Sequence, residues 1–186
     1  MKAFILPTLA MFAMAVAGCE TTGGHSSDAS QNTTLNDRGH VALQQMETND
    51  PGLRNVTDNA YAYAIFPEVG EAAVGIGGAG GRGEVYQNGQ PVGSATLRQG
   101  SVGIQLGGET FSELVVFQTP AAFDVFKNGN LVFGADAHAT LLKAGAAAAG
   151  QFNNGTRIFI LPKGGLMAGV SVNGQKFHFD GNQNGT

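Results

Sequence analysis

Between Tyr61 and Gly108 the chain keeps an apolar beat of two while being studded with glycine. YAYAIFP (61–67) opens the stretch, VGIGGAGGRGEVY (74–86) continues it, QNGQP (87–91) turns it, and PVGSATLRQGSVGIQLGG carries it on. Valine, isoleucine and tyrosine alternate with glycine and small polar residues, and period two is the pattern of a half-buried strand. Glycine inside a strand marks a bulge, a bend or a close backbone approach. The stretch therefore predicts a strongly curved sheet with something packed close to its backbone. Asn88-Gly89 predicts a type I′ hairpin turn within it.

The strands expected here are Ala62–Phe66, Val74–Ala79, Gly83–Gln87, Val92–Arg98, a strand whose Val102, Ile104 and Leu106 share one face, and Leu114–Phe117. The last is apolar on both faces and reads as central. Thr119–Gly129 reads as a helix, with Thr119 as cap, Pro120 in the first turn, and Ala122, Phe123 and Phe126 as the buried face. Thr34–Thr48 reads as another, and Asp50-Pro51 starts a short third that buries Leu53 and Val56. Leu131–Phe133, Arg157–Leu161, Leu166–Val172 and Lys176–Phe179 read as strands, with a last hairpin at Asn173-Gly174. Residues 134–150 fit either an alanine-rich helix or a strand alternating Ala135, Ala137 and Ala139 with Asp136, His138 and Thr140. A length of 186 residues suggests one domain, and 15 aromatic residues suffice for a core despite 29 glycines. The fold class is α+β: a single domain of mostly antiparallel curved β-sheet with a few short helices.

The N-terminus reads differently. Lys2 precedes an uncharged, largely apolar run to Ala17, too short to span a membrane and fitting a signal segment. It ends in VAGC (16–19), which is similar to the lipobox of bacterial lipoproteins. That likeness implies cleavage after Gly18 and acylation of Cys19, the single cysteine. Glu20 follows where an aspartate would favour the inner membrane, so the expected location is the bacterial cell envelope at the outer membrane. The expected organisation is a signal peptide over 1–18, a lipidated polar tether over 19–34, a domain over 35–180 and a polar tail over 181–186.

Five motifs occur in order along the domain: IFP (65–67), VGIGGAGGRGEVY, SVGIQLGG (101–108), FGADA (133–137) and KGGLMAGVSVNG (163–174). Together they resemble the SYLF domain, also known as the Ysc84-type lipid-binding domain, over about Leu35 to Phe179. The resemblance implies a strand followed by a small-residue loop over 134–150. It also implies lipid binding: eukaryotic members bind phosphoinositides, some associate with actin, and bacterial members are envelope lipoproteins.

Other chemistries fit less well. Gly75, Gly77 and Gly80 match G-x-G-x-x-G, but a strand hairpin follows where a dinucleotide site needs a helix, and no acid lies near Gln99. No cofactor is therefore expected. His25, His40, His138 and His178 are scattered without metal-ligand spacing, so no metal is expected either. Asp136 and His138 would share one strand face, with Ser94, Ser101 or Ser171 as distant candidates, which is the least favoured reading, a hydrolase. A net charge of −4 without a basic run argues against nucleic acid.

What remains is a non-catalytic phospholipid-binding protein whose partner is the membrane surface. The alternative is an envelope lipoprotein that binds a protein or cell-wall partner. The candidate headgroup contacts are Arg82, Arg98, Lys127, Lys143 and Lys163, with Arg82 favoured because Gly81 and Gly83 let a phosphate approach the backbone. The anchor is testable separately. Acyl chains contribute about 0.8 kcal/mol per buried CH₂, and more than one chain makes attachment stable. Cys19→Ala is expected to leave an unprocessed or soluble protein in membrane fractionation. Wild-type protein of unacylated mass in the soluble fraction contradicts the anchor.

Overall fold

The structure, a computed structural model, describes residues 26–129, 131, 139–165 and 174–182, with the side chains of 26–33, 72–76, 101–107 and 165 left aside. Two strands dominate it. β1 (Ala62–Gln87) and β2 (Gln90–Phe117) are 26 and 28 residues long. They pair antiparallel from Ala62↔Phe117 to Gln87↔Gln90. The short strands expected along each are thus continuous. Glycine keeps the backbone donor and acceptor that a ladder needs, so it bends a strand without ending it. Register shifts at Phe66/Val69, Val74/Ile76 and Val85/Tyr86 accompany the bending. The turn has Asn88 at φ 51° and Gly89 at φ 75°, as a type I′ turn requires.

A straight strand of this length would reach ~85 Å, about twice the ~40 Å width of a domain of this size. β1 instead doubles back, laying its last residues beside its first. The Asn88 N–H donates to the Tyr61 carbonyl at 3.2 Å. Gln87 Nε2 donates to the Tyr61 hydroxyl at 2.7 Å, and the Tyr63 and Tyr86 rings stack with centroids 4.9 Å apart. The backbones come closest at two glycines. A Cβ on Gly83 would sit 2.6 Å from the Ile65 carbonyl oxygen and 2.6 Å from the Phe66 ring, and one on Gly81 would sit 2.7 Å from the Glu68 carbonyl oxygen.

The remaining strands line the other edge of β2. β3 (Ala139–Leu141) runs parallel to β4 (Thr156–Gly165), and β4 pairs antiparallel with the second half of β2, from Glu109↔Gly165 to Phe117↔Thr156. β5 (Lys176–Gly181) pairs antiparallel with the first half, from Gly93↔Gly181 to Arg98↔Lys176. Among the described residues the result is one mostly antiparallel sheet of five strands in an α+β fold. Leu131 lies outside any strand, while 132–133 and 166–172, also expected as strands, fall outside the described residues.

Helices pack on both faces. α1 (Ser26–Asn49) starts eight residues ahead of the expected Thr34, so Ser26–Thr33, read as linker, is helical. Once Leu35, Ala42 and Met46 dock the helix, polar residues extend it without a new nucleation step. α2 (Gly52–Asp58) follows, and α3 (Pro120–Lys127) has its Thr119 hydroxyl accepting the Ala122 N–H at 3.2 Å. Four alanines form α4 (Ala146–Ala149), where a loop was expected. High alanine propensity and the caps described next outweigh the family pattern there.

The inner face of the sheet buries Phe66, Val85, Leu97, Phe111, Val115 and Phe117 against Phe123, Phe126 and Phe177. The outer face buries Ile65, Leu114, Val116 and Phe159 beneath Ala42, Met46 and Leu53. Asp50 ties the outer helices together. Its Oδ1 accepts the Gly52 N–H at 3.1 Å and its Oδ2 accepts the Ala147 N–H at 2.6 Å. Arg157 caps the other end of α4, donating to the Ala147 carbonyl at 2.6 Å and the Ala146 carbonyl at 2.8 Å. Burial pushes the Asp50 pKa up, but hydrogen bonds from Ala147, Gly52, Gly145 and Ala146 prevail and hold it below the ordinary carboxylate range.

The doubling back of β1 gives a direct test. Gly83→Ala is expected to destabilise the protein by about 1–3 kcal/mol, because the carbonyl it meets belongs to fixed backbone. Gly70→Ala, whose Cβ would meet nothing within 4 Å, is expected to stay within about 0.5 kcal/mol. Equal denaturation midpoints for the two variants would refute the close approach.

Candidate functional site

Residues directly opposite one another in a ladder share a face. On β1, β2 and β5 this rule assembles two adjacent rows. One is Arg82, Thr96 and His178, and the next is Gly80, Arg98 and Lys176. Arg82, Arg98, Lys176 and His178 are all exposed. The row on the other side, Glu84, Ser94 and Asp180, carries the acids. Glu84 is buried, while Asp180 Oδ1 lies 3.3 Å from His178 Nε2. Beyond Arg98 the same face continues over Gly78 and Gly100, which face each other without side chains. Cations are thus gathered at one end of a sheet face whose adjoining floor is bare backbone.

Arg98 stands directly opposite Lys176. Like charges so placed oppose strand pairing. The pair therefore weakens the pairing of β2 with β5 rather than supporting it.

Of the five expected contacts, Arg82 and Arg98 come together on this face. Lys127 lies on α3, where its Nζ is 2.9 Å from Asp124 Oδ1 and 4.9 Å from the centroid of the Phe123 ring. Lys143 is in the turn between β3 and α4, and Lys163 is near the end of β4, both exposed. Lys176, His178 and Thr96 are additions. The spacings T-x-R at 96–98 and K-x-H at 176–178 could have placed each pair on one strand face, but not the two strands together. Cys19, Asp136 and His138 lie outside the described residues.

The inner face holds a second polar feature. Glu113 lies between Phe66 and Ile160 in the ladder and is fully buried. Its Oε2 accepts from Gln175 Nε2 at 2.9 Å, while among the described residues its Oε1 and the Gln175 Oε1 have no hydrogen-bond partner. Burial pushes the Glu113 pKa up to about 8, against the opposing pull of the Gln175 bond, so the group is mainly protonated at neutral pH. Glu109, further along the same face, is raised by burial and by Glu71 opposite it.

Among the described residues, recesses open beside the helices at two places. One, of about 480 Å³, is lined by Gln44, Glu47, Thr48, Pro51 and Arg54, with Arg54 paired to Glu47 at 2.8 Å. The other, of about 250 Å³, is lined mainly by Val56, Ala60, Phe152 and the polar groups of Asn55, Asn59 and Gln118. Neither joins a nucleophile to a base. Among the described residues no helix is long and apolar enough to cross a membrane.

An α+β module with a cationic sheet face is the class that these features define. The model of the Ysc84 family, described as "Las17-binding protein actin regulator", matches residues 98–186. The match agrees with the motifs in that segment that resemble this family, SVGIQLGG, FGADA and KGGLMAGVSVNG. The matched segment includes Arg98, Lys176 and His178, and Arg82 and Thr96 precede it. No curated protein matches the chain.

Glu113 predicts a pH dependence of stability. Its folded pKa is raised, so the stability linked to it is full below the ordinary value of 4.5 and is lost as pH rises through about 8. Above that the unfolded and folded carboxyls are both ionised and the effect levels off. Glu113→Gln keeps the shape and removes the proton. The melting temperature of wild type is expected to fall relative to Glu113→Gln as pH rises from 4.5 to 8. Parallel curves for the two proteins would show that Glu113 ionises normally.

Proposed function

We propose that this chain is a non-catalytic phospholipid-binding lipoprotein of the bacterial cell envelope, anchored at the outer membrane through Cys19. Its outer sheet face at Arg82, Arg98, Lys176 and His178 meets anionic headgroups. The observation that carries this reading is the cationic cluster itself, in a chain whose net charge is −4. General attraction to an anionic bilayer is unavailable to such a chain, so binding must be local. Each Lys or Arg brought to an anionic membrane surface contributes about 1 kcal/mol. Three such residues are enough to orient a domain already tethered by acyl chains. The family description also supports a protein partner, and that is the second reading.

Vesicle co-sedimentation separates the two. Wild-type protein is expected to bind phosphatidylglycerol vesicles at low salt and to ignore phosphatidylcholine. Lys176→Glu should weaken binding about tenfold or more, the combined loss of one attraction and gain of one repulsion. It should also stabilise the fold by about 0.2–1 kcal/mol, because it sets opposite charges face to face with Arg98. Lys143→Glu should change neither. Failure of the wild type to bind any anionic vesicle would favour the protein partner.

A further inference from the structure

We infer that the cationic face holds one phosphomonoester group, seated over Thr96 between Arg82, Arg98, Lys176 and His178. This rests on the reading of that face as the lipid-binding surface and narrows what it takes. Thr96 is the middle residue of its row, directly opposite Arg82 on one side and His178 on the other. Neighbouring strands lie about 4.8 Å apart, so both flanking side chains start within easy reach of a group above Thr96. Arg98 is two residues along the same strand and on the same face. Lys176, opposite Arg98, is the diagonal neighbour of Thr96. Four basic residues and one hydroxyl therefore occupy adjoining positions on one sheet face.

The number and kind of donors select the ligand. A phosphomonoester offers three terminal oxygens and about −1.5 to −2 charges. A phosphodiester offers two free oxygens and one charge, which leaves part of such a ring of donors unused. Two guanidinium groups supply paired N–H donors, and the Thr96 hydroxyl and Lys176 ammonium complete the set. The bare floor at Gly78, Gly80 and Gly100 lies beside the seat, so the body of the ligand can rest against backbone. Asp180 and Glu84 form the opposite wall: Asp180 faces His178, and Glu84 is buried under α1 near Asn36 and His40. A ligand would thus enter from the glycine side, away from the acids. The same chemistry is found in a monoester lipid headgroup and in a soluble phosphorylated molecule.

The test uses the full-length protein with two kinds of probe. Vesicles of phosphatidylcholine doped with phosphatidic acid, a monoester, are compared with vesicles doped with phosphatidylglycerol, a diester, at matched surface potential. Glycerol 3-phosphate is titrated separately. Phosphatidic acid is expected to bind about tenfold tighter than phosphatidylglycerol, the worth of one further charge-assisted contact. Thr96→Val and Arg98→Gln should reduce that ratio toward one while leaving the melting temperature within a few degrees of wild type. Equal affinities at matched potential would overturn the seat and leave general anionic lipid binding standing. Binding of glycerol 3-phosphate with the same Thr96→Val loss, but no vesicle binding, would keep the seat and overturn the membrane reading. Absence of binding to all three probes overturns both.

Discussion

The close approach of β1 to itself is the constraint on which the rest of this structure depends. Gly83 faces the Ile65 carbonyl and the Phe66 ring, and Gly81 faces the Glu68 carbonyl, at distances that leave no room for a Cβ. Without that fold-back, a hairpin of two such long strands would project as an isolated ribbon with little apolar surface buried. With it, the inner face of the sheet closes around Phe66, Phe111, Phe117 and the α3 rings, and the first half of β2 is turned to receive β5. Burial of each such phenylalanine contributes roughly 1.5–3 kcal/mol, so the local cost of glycine, about 0.5–1 kcal/mol each, is readily offset.

The two faces of the curved sheet consequently have different characters. Inside, aromatic packing is so complete that Glu113 keeps its proton and shares one hydrogen bond with Gln175, the residue just before β5. Outside, helices cover only part of the surface. α1, α2 and α4 are bound together through Asp50 and Arg157, and they shield Ile65, Leu114 and Phe159. What they leave open is the strip of β1, β2 and β5 that carries Arg82, Arg98, Lys176 and His178. The cationic face exists because the helical layer ends before it and because β5 brings its own basic residues to that strip.

This arrangement would let an acidic chain meet the anionic partner proposed for it. From Leu35 onward twelve Asp and Glu outnumber nine Lys and Arg, so no long-range pull draws the domain to a bilayer. Segregation of the charges does what their sum cannot. The acids Glu84 and Asp180 lie in one row and the cations in the next two, within the range over which salt screens only partly. An acyl anchor at Cys19 would supply the residence time at the membrane, and the sheet face would supply orientation and selectivity.

Local features were legible in the sequence wherever one residue's geometry decided the outcome. Positive φ at Asn88 and Gly89, the Thr119 cap with Pro120, and the alternation of buried and exposed residues all follow from short-range sterics and hydrogen bonding. Period two also identified the sheet, and the glycines its curvature. Continuity of β1 and β2 was not legible, because glycine reads the same at a bend as at an end, and only pairing with a neighbour tells them apart. The start of α1 was missed because docking of its later turns, not local propensity, extends it. Half of the site was likewise invisible: Arg82 and Arg98 stood out, whereas Lys176 and His178 joined them only through the pairing of β5 with β2. The sequence by itself determined which residues turn, cap and alternate, since those choices are made within a few peptide units. The tertiary structure alone decided which strands meet and which charges share a face, since that depends on how the apolar surfaces of distant segments bury one another.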